Sequence, residues 1–243
     1  MGRALLVLGG CGGIGRTLVR EASDHGYEVC VMDTPASLSA HPPQAAAFAV
    51  DARSESSMKS ACSQACEKHG PFDGFVNLCG YLGAPDPLVS VTPEDWNDVV
   101  QGNLTAAWLS ARCCAEALAP GAAMVIVGSG LGAVPKPGYG AYAVAKAGMV
   151  GLTRLLAREL APKLRVNCVA PGPVDTAFLT GGTGRSDEQG SSRVDLEAHA
   201  AQNPLGRVAT PEDVVGPIVF LLSPQASYVT GQTWYINGGT YCG

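Results

Sequence analysis

An apolar run that ends in clustered glycines and then turns into a helix leaves few folds open to a chain. Residues 4–8, Ala-Leu-Leu-Val-Leu, read as a buried strand, and Gly9-Gly10-Cys11-Gly12-Gly13-Ile14-Gly15 follows at once, leading into a helical pattern over residues 14–25. Glycines in that position let backbone approach a bound group closely and aim the first helical N–H groups at it, an arrangement suited to a pyrophosphate. The strand–loop–helix setting is what gives the cluster meaning. A different phosphate loop competes, because Gly10 to Thr17 nearly matches the nucleoside triphosphatase pattern, with Arg16 where Lys is required. A planar guanidinium is a poor substitute for that compact ammonium, so the dinucleotide reading is preferred.

The rest of the chain repeats the alternation. Residues 28–32, 46–50, 74–78, 124–127, 166–169 and 233–236 read as further strands. Residues 56–68, 93–118, 139–160 and 211–222 read as helices. The central strands are continuously apolar, as expected where both faces are covered. Such alternation predicts a doubly wound parallel sheet between two helical layers, an α/β fold of three layers. Nothing resembling a linker or an internal repeat divides residues 1–243, so one domain is expected. The polar, Gly/Ser-rich segment 176–202 is long for a connection and predicts a lid over a binding site, with a short helix at 195–201.

Composition narrows the function classes. A chain of 243 residues that is 47% hydrophobic and 15% charged, with a formal net charge of -5, supplies a large core and no basic footprint for nucleic acid. No apolar run is long enough to span a bilayer, and the first strand is too short for a secretory signal core. A cytoplasmic protein is the expectation. Nine cysteines at irregular spacing make a poor disulfide framework and read mostly as small buried hydrophobes. Four isolated histidines give no metal site.

Two further patterns carry chemistry. Asp33 closes the second strand about 20 positions after the glycines, where an acidic side chain takes ribose hydroxyls and repels a 2′-phosphate. This favours NAD over NADP. Tyr142 and Lys146 stand four residues apart on one predicted helix face, with Ser129 one loop upstream. A nearby ammonium favours phenolate, so Lys146 is expected to lower the Tyr142 pKa from its usual value of about 10. That would bring the phenol into the range useful for general acid–base work.

With these motifs in order, the chain resembles the single-domain form of the short-chain dehydrogenase/reductase family, nearly end to end, and hence a Rossmann-type fold. The family's glycine pattern matches Gly9, Gly13, Ile14 and Gly15, and its acidic residue matches Asp33. Asp51 and Ala52 match its adenine contact, and Asn77 with Gly80 its turn after strand four. Asn103 matches its helix-four Asn; Ser129, Tyr142 and Lys146 match its catalytic set. Pro171, Gly172, Val174 and Thr176 match the segment that holds the nicotinamide end. The chain departs from the pattern at Leu8, at Leu78-Cys79 and at Gly128 beside Ser129.

The resemblance implies reversible hydride transfer between NAD and a secondary alcohol or ketone. Tyr142 would exchange the proton, Lys146 would hold the ribose, Ser129 would orient the substrate oxygen, and Asn103 would hold a relay water. A largely apolar small-molecule substrate and a homodimer or homotetramer built on the helices after strands four and five are expected. An acyl-carrier-protein ketoreductase, which usually goes with NADP, and a non-catalytic nucleotide sensor are the alternatives.

Overall fold

Parallel strands need long crossovers, and the apolar runs supply strands just long enough to be buried on both faces. The computed structural model describes residues 2–184, 188, 190–192 and 194–242. Within it β1 is Arg3–Leu8, β2 Tyr27–Asp33, β3 Ala46–Ala49, β4 Phe72–Asn77, β5 Leu118–Val127, β6 Arg165–Pro171 and β7 Thr233–Ile236. These form a seven-stranded sheet in the order β3-β2-β1-β4-β5-β6-β7, parallel throughout. Winding reverses between β1 and β4, and in such sheets a crevice opens at that point beyond the strands' carboxyl ends. Register places Leu8 beside both Met32 and Asn77. Gly9, Asp33 and Leu78 therefore emerge together at one edge.

Helices cover both faces. On one side α1 (Gly13–Asp24) and α8 (Pro211–Leu222) bury Leu18, Val19, Val214 and Ile218 against Leu5, Val7 and Val125. On the other, α3 (Glu55–His69), α5 (Ala106–Cys114) and α6 (Gly140–Glu159) bury Met58, Ala107 and Met149 against Leu6, Phe75 and Met124. Capping side chains punctuate many starts: Ser54 accepts from the Ser57 amide before α3, and Asp195 accepts from Ala198 before α7, Leu196–Gln202.

Three local expectations change. Residues 93–118 do not form one helix: α4 (Pro93–Val100) passes into a π turn at Gln101–Thr105, α5 follows, and Leu118 already belongs to β5. The Asn103 side-chain amide donates to the Val99 carbonyl at 2.9 Å and the Tyr81 carbonyl at 3.0 Å. Occupying the carbonyl one turn back displaces the helical ladder, which accounts for the wider turn. Pro120 and Gly121 hid the start of β5, since both read as turn residues. The short helix α2, Pro35–Ala40, was also missed, although Thr34 before a first-position Pro is a start signal. The expected lid is described except at Arg185, Ser186, Asp187, Gln189 and Arg193.

Asn77, expected at the cofactor, instead pins the end of β4. Its amide donates to Ser110 Oγ at 2.8 Å, and its carbonyl oxygen accepts the Cys79 N–H at 2.7 Å. It is buried, with 1% exposure, so Asn77→Ala removes the acceptor of the part-buried Cys79 N–H and the donor to the buried Ser110 hydroxyl. That variant is expected to lose about 1–3 kcal/mol of unfolding free energy. In urea titration this should read as a lower midpoint with an unchanged slope.

Candidate active site

Most helix starts in this fold end on a Ser, Thr or Asp cap; α1 does not. Its N-cap is Gly12, with no side-chain hydrogen bond and no acidic residue in the first turn. Its orphan N–H groups are therefore available to an anion. They open onto a cavity of about 1100 Å³ that runs along the carboxyl edge of the sheet. Gly9 makes the turn with φ +86, a conformation a side chain resists. At Gly13 a Cβ would stand 2.5 Å from Thr176 Cγ2, so Thr176 leans directly over a loop that only glycine can form.

Asp33 fastens that loop. Its carboxylate accepts the Cys11 N–H at 2.9 Å and the Thr34 N–H at 2.8 Å, is nearly buried, and lines the cavity. Burial first, and then the Asp33 carboxylate, push the Cys11 thiol up to about 12, so Cys11 stays an inert thiol. Asp51 and Ala52 reach the same wall. One Asp51 oxygen is already committed to Arg53, accepting its amide at 3.0 Å and its Nε at 3.4 Å. Of the residues expected at the cofactor, all but Asn77 line this cavity.

At its other end α6 carries Tyr142 and Lys146 inward together, one turn apart, both nearly fully buried. Ser129, on the loop after β5, accepts the Leu131 N–H at 3.2 Å and shares a hydrogen bond with the Tyr142 hydroxyl. Lys146 Nζ lies 5.4 Å from the centre of the Tyr142 ring and donates to the Val127 carbonyl at 3.1 Å. Asn103 sits behind them. Its Oδ1 is buried with no hydrogen-bond partner among the described residues. A Cβ on Gly80 would stand 2.5 Å from that oxygen and 3.2 Å from Lys146 Nζ, so the two polar groups border one small space.

The electrostatics differ from expectation. Burial raises the Tyr142 pKa well above its ordinary value, and the Ser129 hydroxyl only partly offsets this. Lys146 does not lower it. Burial pulls Lys146 itself down to about 8, because packing strips most of the water from the charged form of each group. The protein's own groups therefore hold a neutral phenol beside an amine that can exchange a proton near neutrality.

Other features had no sequence signal. The Ser37 hydroxyl, on α2, donates to the Thr183 carbonyl at 3.1 Å, and His41 Nε2 lies 2.8 Å from Glu188 Oε2. Thr183 and Glu188, in the 176–202 segment, thus contact α2 and the residue that follows it, through side chains that sequence distance had made look isolated. Lys136 and His199 also line the cavity.

Comparison with known proteins agrees with this geometry. The family profile described as Enoyl-(Acyl carrier protein) reductase matches residues 9–241. A 3-oxoacyl-acyl-carrier-protein reductase from Chlamydia muridarum is 31% identical, over 98% of this chain and 96% of its own length. One of the same name from Vibrio cholerae is 29% identical over 99% and 98%. The crystal structure of a short-chain dehydrogenase/reductase, glucose/ribitol dehydrogenase, from Brucella melitensis superposes with a TM-score of 0.89. It is 30% identical, covering 99% of this chain and 97% of that one.

The buried lysine yields a pH test. An unfolded lysine keeps an ordinary value of 10.5, against about 8 in the fold. Below about 8 both states carry the proton, and burying the charge destabilises the fold. Between the two values only the unfolded chain holds it, so rising pH favours folding. Lys146→Met cannot titrate. The stability difference between parent and variant is expected to move toward the parent by about 2–3 kcal/mol from pH of about 7 to about 10. Denaturant melts across that range would show it; a pH-independent difference would contradict the burial argument.

Proposed function

The chain belongs to the short-chain dehydrogenase/reductase family, nicotinamide-dependent oxidoreductases, and within it we propose an NAD-dependent enzyme that interconverts a secondary alcohol and a ketone. One observation carries this reading: Ser129, Tyr142 and Lys146 converge at one end of a cavity whose other end is an uncapped helix start beside Asp33. When bound, the nicotinamide gives or takes the hydride. Gly9, Gly13, Ile14 and Gly15 would hold the pyrophosphate, Asp33 the adenosine ribose, and Asp51 with Ala52 the adenine side. Gly80, Pro171, Gly172, Val174 and Thr176 would frame the nicotinamide end.

Tyr142 is the proton-transfer residue in this reading. As the neutral phenol that burial favours, it donates to the substrate oxygen during reduction; for oxidation it first passes that proton to Lys146 and then, as phenolate, takes the substrate's hydroxyl proton. Ser129 orients the same oxygen and stabilises its developing charge. Lys146, with a value of about 8, passes the proton on, and the unpartnered Asn103 Oδ1 anchors a water between Lys146 and solvent.

NAD is favoured over NADP by what surrounds Asp33. Thr34, Pro35 and Ser37 line the cavity there and carry no charge, and Arg53, on the same cavity, is paired with Asp51 at 3.4 Å. Arg16 donates to the Cys11 carbonyl at 2.8 Å. Ketoreduction of an acyl-carrier thioester is the second reading, favoured by the full-length relatives that carry that name. Trp108, Val144 and Leu155 stand exposed on α5 and α6, which supports assembly as a dimer or tetramer. Among the described residues no helix is long and apolar enough to cross a membrane; with the free cysteines, that supports a cytoplasmic setting.

Tyr142→Phe is expected to lower turnover by about 10³-fold or more while NADH fluorescence titration finds binding nearly unchanged; near-parental turnover would remove Tyr142 from its role. Steady-state kinetics with each cofactor should give kcat/KM for NAD at least about tenfold above NADP, the repulsion expected of one carboxylate. A clear NADP preference would favour the ketoreductase reading.

A further inference from the structure

Beyond Tyr142, the cavity continues between the loop after β5, the lid segment and α7. The sequence predicts apolar walls here, and Leu131, Phe178, Leu179 and Val194 provide them. Two basic side chains interrupt these walls. Lys136 reaches the cavity from the loop after β5 and His199 from α7. Lys136 is exposed at the rim, and its ammonium has no ion pair or hydrogen bond among the described residues. His199 is half-buried, and the Asn203 side-chain amide lies 3.5 Å from its Nε2. The two are near enough that Lys136 adds to burial in pushing the His199 pKa down, so each disfavours positive charge on the other.

We propose that Lys136 and His199 together receive an anionic group on the substrate, so that the reacting compound is a hydroxy or keto acid, or its phosphate-bearing thioester, with an apolar body. This deepens the alcohol–ketone reading and rests on it. An anion there pairs with the Lys136 ammonium and accepts from a ring N–H of His199, and apolar walls strengthen the attraction over its value in open water. Asp195, the carboxylate on the same wall, spends one oxygen on the Ala198 amide at 2.9 Å as the cap of α7. The reacting oxygen would face Tyr142 and the anionic group the basic side chains, with the apolar body against Leu131, Phe178 and Leu179.

The test uses matched pairs. Kinetics would compare 3-hydroxyoctanoate with its methyl ester, and acetoacetyl-coenzyme A with the uncharged acetoacetyl N-acetylcysteamine thioester. Binding of octanoate, which has no hydroxyl to oxidise, would be followed by calorimetry in the presence of NADH. Lys136→Met, at an exposed position, keeps the side-chain length and removes the charge. The charged member of one pair is expected to be preferred about tenfold in kcat/KM, and the variant to erase that preference through KM while leaving the neutral partner unchanged. Preference within the first pair identifies a carboxylate, within the second a phosphate. Equal use of charged and neutral partners, or a variant that slows both alike, overturns the proposal. The two readings fail separately. Octanoate binding that depends on Lys136, without oxidation of any alcohol, would keep the anion corner and sink the dehydrogenase reading. Turnover of neutral alcohols with no effect of Lys136→Met would do the reverse.

Discussion

Strand reversal between β1 and β4 is the constraint on which the rest of this molecule depends. Parallel strands joined by helical crossovers must send their connections to one face or the other, and where the direction changes no helix can cover the carboxyl edge. Because register sets Leu8 beside Met32 and Asn77, three loops leave the sheet at the same height and wall a single crevice. The uncapped start of α1, the Asp33 carboxylate and the Cys79–Gly80 turn meet there without any of them being close in sequence. Asn77 serves this architecture by holding β4 against α5.

Burial decides the chemistry of the far end. Tyr142 and Lys146 share a helix face that the packing turns inward, so both lose water and both shift away from their charged forms. Proximity of a lysine would depress a tyrosine only if the lysine kept its charge at low cost, and a site this dry penalises it. What results is a neutral acid next to a proton exchanger, with an unpartnered amide oxygen behind. That oxygen is available because Asn103 spends its N–H groups on Val99 and Tyr81, the contacts that also force the π turn. The backbone irregularity and the unpartnered oxygen thus have one cause.

Much of this was legible in the residues. Apolar periodicity, glycines after a strand and a four-residue Tyr–Lys spacing are local properties, and each maps onto geometry without knowledge of the partners. Six of the seven strands were found with shifted ends, and β7 with its observed ends. The long helix at 93–118 was misread because its interruption comes from a side chain answering a carbonyl on a different segment, Tyr81. Asp51 was placed correctly at the wall, but its ion pair with Arg53 depends on the turn that follows β3.

By itself the sequence determined the α/β class, the glycine turn at the sheet's carboxyl edge and the sharing of one helix face by Tyr142 and Lys146, since helical pitch and glycine sterics act within a few residues. Tertiary structure alone decided the order of strands, the burial that raises the tyrosine pKa and the placing of Lys136 and His199 on one cavity. Desolvation and Coulomb energy depend on everything that surrounds a group, and that surrounding is assembled from segments distant along the chain.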